Sequence, residues 1–147
     1  MPLSRTQETQ LEFWQKFNDY VSKHPEFTNE FATRTPQANH HYLLRVGQTN
    51  SPYICLNAYA KDYLKASIFI KNNPIQCSSF EENKIQIENK VGCKLDWKTQ
   101  NDKTPFSKII AIKDGFDIYN RGQWKNAVNW LMNMAIKLKA VIEKYDK

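Results

Sequence analysis

Three groups of residues in this chain of 147 could do chemistry. Asp96-Trp97-Lys98 has the acid-x-lysine form with which a strand can bind magnesium and place a water for phosphodiester cleavage. That chemistry needs a second acid on an adjacent strand, and no obvious one precedes it, since Asp62 falls in a turn. Glu82-Asn83-Lys84 and Glu88-Asn89-Lys90 repeat the spacing on a helical stretch, where it reads as solvated surface. His40 and His41 form the second group. Neighbours on a strand point to opposite faces, so the pair is not expected to share a metal; with Tyr42 it is expected to make hydrogen bonds at the strand entrance. His24, before Pro25, has a capping role at most. The third group is Tyr53, Tyr59, Tyr63 and Phe69 with Lys65 and Lys71, aromatic and basic side chains resembling a stacking surface for unpaired bases. The four glycines are scattered at element ends and make no phosphate loop. No serine or cysteine sits in a nucleophile motif. The expectation is no catalytic residue, no metal and no cofactor.

The elements that must position these groups follow from periodicity. Leu11, Trp14, Phe17, Tyr20 and Val21, with Phe13 beside them, predict an amphipathic helix over about 9–23. His24-Pro25 ends it, and Phe27 and Phe31 extend its apolar face through a short turn. Three strands follow, His40 to Val46, Tyr53 to Ala60 and Leu64 to Lys71. The links are Gly47 to Pro52 and a tight reversal at Lys61-Asp62, too short for anything but an antiparallel meander. Alternation gives the meander two faces. Ile54, Leu56, Ala58 and Ala60 match Leu64, Ala66, Ile68 and Ile70 as a core face. Tyr53, Cys55, Asn57 and Tyr59, then Tyr63, Lys65, Ser67, Phe69 and Lys71, make the other. A sheet covered on both sides would turn these aromatics into core; an uncovered one would leave them open for a partner.

Asn72-Asn73-Pro74 breaks the sheet. Ser78 and Ser79 each have an acid three residues on, Glu81 and Glu82, which predicts a capped helix running to a left-handed stop at Gly92. Lys94 to Lys98 and Ser107 to Lys113 are two further strands around a polar loop, Thr99 to Pro105. The apolar stripe from Trp124 to Ile142 predicts a final helix over about 121–145, about 38 Å long. Trp130, Met132 and Ile136 lie beyond that stripe, so either the fold buries both sides or part of the helix meets another chain.

The bulk numbers frame this reading. The length suits one domain with a self-sufficient core, and 41% hydrophobic with 24% charged residues is an ordinary globular balance. No apolar run is long enough to span a membrane, and the N-terminus lacks the apolar core of a signal peptide. Three scattered cysteines, Cys55, Cys77 and Cys93, argue against a disulfide framework and for a reducing, cytoplasmic setting. The formal charge of +6 is compatible with a polyanionic partner, although the lysines are dispersed along the chain.

Four local patterns, in order, carry a resemblance: Phe13-Trp14-Gln15-Lys16-Phe17, as W-x-x-F; Asn39-His40-His41-Tyr42 followed by Val46-Gly47; Gly92-Cys93-Lys94-Leu95-Asp96-Trp97, as G-x-x-L-x-W; and Ser107 with Ile109, then Trp124 and Trp130-Leu131. Together they cover about 10–145, and the chain resembles a prokaryotic domain-of-unknown-function family, number 4268. Members often carry this domain behind a restriction-endonuclease-like domain. The resemblance thus implies a companion module in bacterial nucleic-acid processing or defence, with nucleic acid or a nuclease-type domain as partner. The chain begins close to where the domain begins, so it is expected to be a free-standing version or an excised piece. His41 stands where the family pattern has tryptophan, and Leu43 and Ser67 where members often show acids; any function of those acids is lost here. The helix-strands-helix order is also similar to double-stranded RNA binders, but Glu81 and Glu82 stand where those need basic residues.

The expectation is a lead-in over 1–8 and a single α+β domain over 9–147, of order α-βββ-α-ββ-α, with a mainly antiparallel five-stranded sheet packed with three helices. The binding residues expected are Arg34, His40, His41, Arg45, Tyr59, Tyr63, Lys65, Phe69 and Lys71. The alternative is a protein-interaction module, including a homo-oligomer through the C-terminal helix; a small metal-dependent nuclease ranks below both.

Overall fold

The structure, a computed structural model, describes residues 2–46, 51–59, 61–71, 74–98 and 106–146. The first helix, α1 (Arg5–Val21), starts inside the polar lead-in. Ser4 Oγ accepts the Gln7 N–H at 3.1 Å and Gln7 Oε1 accepts the Ser4 N–H at 2.9 Å, so two otherwise orphaned donors are satisfied reciprocally. Phe13, Trp14, Phe17 and Val21 are fully buried. A short second helix, α2 (Pro25–Thr28), opens on a proline and adds Phe27, which meets Phe17 edge to face.

Five strands, β1 (His41–Arg45), β2 (Tyr53–Ala58), β3 (Lys61–Lys71), β4 (Asp96–Lys98) and β5 (Phe106–Asp117), form one sheet in the order β1-β2-β3-β5-β4. Every pairing is antiparallel, as the short links require for β1–β2, β2–β3 and β4–β5. The predicted alternation holds in the register: Ile54 opposes Ile68, Leu56 opposes Ala66 and Ala58 opposes Leu64, all buried. The reversal at Lys61-Asp62 has Asp62 at φ +95°, and both residues also pair with Asp117 and Phe116 of β5, so β3 begins earlier than expected. Residues 47–50 of the predicted 47–52 loop, Ala60, the predicted break at Asn72-Asn73 and the predicted loop over 99–105 lie outside the described residues.

The middle helix differs from expectation. It is two pieces, α3 (Pro74–Glu82) and α4 (Lys84–Val91), broken at Asn83, whose Nδ2 donates to the Ser79 carbonyl at 2.8 Å. The start is Pro74, so Ser78 and Ser79 lie inside α3 and cap nothing; the Ser79 hydroxyl donates instead to the Tyr145 carbonyl. Residues three apart are neighbours on any helix face, so the serine–acid spacing suits a helix interior as well as a cap. Gly92, at φ +90°, stops α4 as predicted. The last helix, α5 (Trp124–Tyr145), follows a 3-10 turn at Arg121–Gln123. Met132 is buried, and Trp130 and Ile136 pack half-buried against the core, so the apolar groups beyond the main stripe are used within the chain.

All five helices lie on one face of the sheet. Trp14 of α1 packs on Tyr42 of β1, Cys77 of α3 bonds Ser107 of β5, and α5 crosses β2 and β3 while touching α1, α2 and α4. Trp14 is the tie between the aromatic cluster and the sheet, and its indole N–H donates to the Asn39 carbonyl at 3.0 Å, at the entrance to β1. Trp14→Ala should cost about 3–5 kcal/mol, read as a shift in the urea midpoint. A loss below 1 kcal/mol would show that this cluster does not anchor β1.

Candidate functional site on the uncovered sheet face

The opposite face is a grid set by register. Its three rows are His41–Asn57–Lys65–Ile112, Leu43–Cys55–Ser67–Ile110–Asp96 and Arg45–Tyr53–Phe69–Lys108–Lys98. The middle row is low: Cys55 and Ser67 are short side chains, buried beneath taller neighbours. The result is a depression of about 290 Å³ whose lining, among the described residues, includes none from a helix. Leu43 at 38% and Ile112 at 46% exposure confirm that nothing described covers this face.

Two aromatic clusters stand on either side of the low row. In one, His40 stacks on Tyr59 with centroids 4.7 Å apart and planes at 19°, Tyr63 adjoins Tyr59 at 4.9 Å, and Lys65 Nζ lies over both tyrosines. In the other, Tyr53 adjoins Phe69 at 5.2 Å and Lys108 Nζ lies 5.0 Å from the Phe69 centroid. Each cluster thus joins a π-face to a cation.

Asn57 links the floor to the first cluster. Its Nδ2 donates to His40 Nδ1 at 3.2 Å, and its Oδ1 accepts the Cys55 thiol at 3.6 Å. Burial, then the neighbouring His41, hold His40 below the ordinary histidine value of 6.5, which keeps Nδ1 free to accept. Burial pushes the Cys55 thiol up to about 11, and Tyr59 is likewise raised, first by burial and then by Tyr63.

His40 corrects the sequence reading. Strand β1 begins at His41, so the alternation that would separate the two histidines does not reach His40; the rings lie 5.3 Å apart and line the same depression. His40, His41, Tyr59, Tyr63, Lys65 and Phe69 therefore come together, with Arg45 in the Tyr53–Phe69 row. Lys71 continues this face at the far end of β3, where its N–H donates to Ser51 Oγ. Arg34 stands apart: its backbone is held on the helix side by the Tyr42 hydroxyl and the Asn18 amide. The sequence reading missed Lys108 and Ile110, because the register of β5 against β3 was needed to place them, and it missed Asn57 as the polar hub. Asp96 and Lys98 sit on this face as an exposed ion pair at 3.4 Å. Among the described residues no group of three or more His, Cys, Asp or Glu is placed to hold a metal ion.

The Domain of unknown function (DUF4268) family matches residues 9–146, nearly the whole chain. The chain belongs to this family. No curated protein matches it. Among solved structures it is similar to YbjN from E. coli, at 9% identity and TM-score 0.41, with 90% of this chain and 93% of that one covered. His41, Leu43 and Ser67, the three positions set against the family pattern in the sequence reading, all fall on the uncovered face.

The Asn57–His40 bond requires a neutral ring. Because burial and His41 depress the folded value of His40, protonating it costs the folded chain: the stability is fully present above pH 6.5 and is lost as pH falls through the folded value. In Asn57→Asp the carboxylate favours the imidazolium, and the His40 pKa should rise by about 1–3 units in an NMR titration of the ring C–H signals. An unchanged titration would show that residue 57 does not control this histidine.

Proposed function

We propose that this chain is a non-catalytic binding module that takes unpaired nucleic acid onto its uncovered sheet face. The observation that carries the reading is the pairing of aromatic rings with cations on both sides of a low central row. Bases stack on aromatic faces without regard to sequence, while lysine and arginine follow the phosphates. Arg45, Lys65, Lys71 and Lys108 supply positive charge on this face, and Asp96 is already engaged by Lys98. A duplex keeps its bases stacked inside, so the aromatic clusters favour a single strand. The chain's formal charge of +6 supports the same partner. An accessory role in bacterial nucleic-acid processing or defence fits such a module.

The test is a fluorescence-anisotropy titration with single-stranded DNA and RNA and with duplex at low salt. Single strands should bind more tightly, and four phosphate contacts would give a slope of log K against log salt of roughly −3. Tyr59→Ala should lose about 1–3 kcal/mol of binding, with Lys65→Ala lowering the salt slope. Binding that ignores salt, or that survives Tyr59→Ala and Phe69→Ala together unchanged, would sink the reading.

A further inference from the structure

A second surface lies around the sheet edge, away from the aromatic grid. Strand β5 is twelve residues long, yet on its outer side, among the described residues, it pairs through residues 108–110 with β4 and no further. Just before β4 begins at Asp96, Glu88 of α4 anchors the chain: its Oε2 accepts the Leu95 N–H at 2.9 Å and the Trp97 indole N–H at 3.2 Å. These donors hold the Glu88 carboxyl below the usual carboxylate range, the Leu95 N–H contributing most. Beyond Ile110 the outer edge of β5 has no strand partner among the described residues, as far as the bulge at Gly115, where φ is +86°.

Beside this edge runs a groove of about 650 Å³ between the end of α4, β5 and α5. Ile112 and Lys113 form one wall; Asn126, Trp130, Asn133 and Met134 of α5 form the other. Asparagine is a poor helix former, because its amide competes with the backbone. Here two amides recur along α5 on the side facing the groove, and a third, Asn129, holds the Tyr20 hydroxyl at 2.7 Å. An asparagine amide offers one donor and one acceptor group, which suits the N–H and C=O of an extended peptide. From Asn126 to Lys137 the helix rises about 16 Å, close to the span of five extended residues.

We propose that this groove binds a short extended peptide of a partner protein, alternating apolar and acidic side chains, as an added strand on β5. Residues 111–114 meet its backbone on one side and Asn126 and Asn133 on the other. Ile112, Trp130 and Met134 receive its apolar side chains, with Met134 able to adapt to their shape. The acidic preference follows from charge: Lys113 and Lys137, the latter also donating to the Val91 carbonyl at 3.2 Å, line the groove, and no carboxylate among the described residues does. A second copy of this chain fits poorly, because pairing this edge with itself sets Lys113 and Lys137 against the same lysines, a like-charge contact.

A displayed library of random seven-residue peptides, selected against the wild-type chain, tests this. Enriched sequences should alternate apolar and acidic residues, shift the amide signals of residues 111–114 in 15N spectra, and lose at least tenfold in affinity for N126A/N133A. Those substitutions improve helix propensity, so the variant should melt at the same or a higher temperature, separating lost binding from lost folding. Enrichment of no sequence, equal binding to N126A/N133A, or shifts confined to the Tyr59–Phe69 face would overturn the proposal. So would a concentration-dependent dimer that protects the same amides, which would make the occupant a second copy.

Discussion

The fold depends on the burial of α5 against the middle of the sheet. Val128, Leu131, Ala135, Leu138 and Val141 are fully buried on its inner side, where it crosses β2 and β3 and touches α1, α2 and α4. Each of these valines and leucines stabilises the fold by about 1.5–3 kcal/mol relative to exposure. No other helix meets so many elements, so the remaining four gather around α5 on the same side. Because the described helices all lie on one face of the sheet, the described part of the other face is finished by side chains. That constraint explains the mixture found there: polar and basic groups at the rim, aromatics shielding one another in pairs, and short side chains beneath them.

The electrostatics of the uncovered face follow from the same arrangement. Lys65 and Lys108 lie over aromatic rings, so their charges rest against π-faces while their stems cover apolar surface. His40 is kept neutral beside them by burial and by His41. The histidine is thus a hydrogen-bond acceptor beside the two lysines, a role set by its shielding from water.

Much of the fold was legible in the sequence, for a physical reason. Period-2 alternation in β2 and β3 fixes which residues share a face, and short links fix the antiparallel sense. The apolar stripe of α5 and the left-handed glycine at Gly92 are equally local signals. What stayed hidden is non-local. Whether the aromatic face is covered depends on where α1 and α5 pack, and alternation alone is silent on that. The place of Lys108 depends on the register of β5. The partnership of His40 with Asn57 depends on where β1 begins, a boundary one residue away from the expected one. The middle helix misled because a serine three residues before an acid has the same spacing inside a helix as at its start.

Cys55 sits on the floor of a surface that is otherwise open and cationic, a setting in which thiols often become reactive. Its burial has the opposite effect. With the thiol raised to about 11, roughly one molecule in ten thousand carries the thiolate at neutral pH, and the thiolate is the nucleophile. The uncovered face thus holds the sulfur at its centre in the protonated form, which is slow toward peroxides and electrophiles where an ionised cysteine is fast.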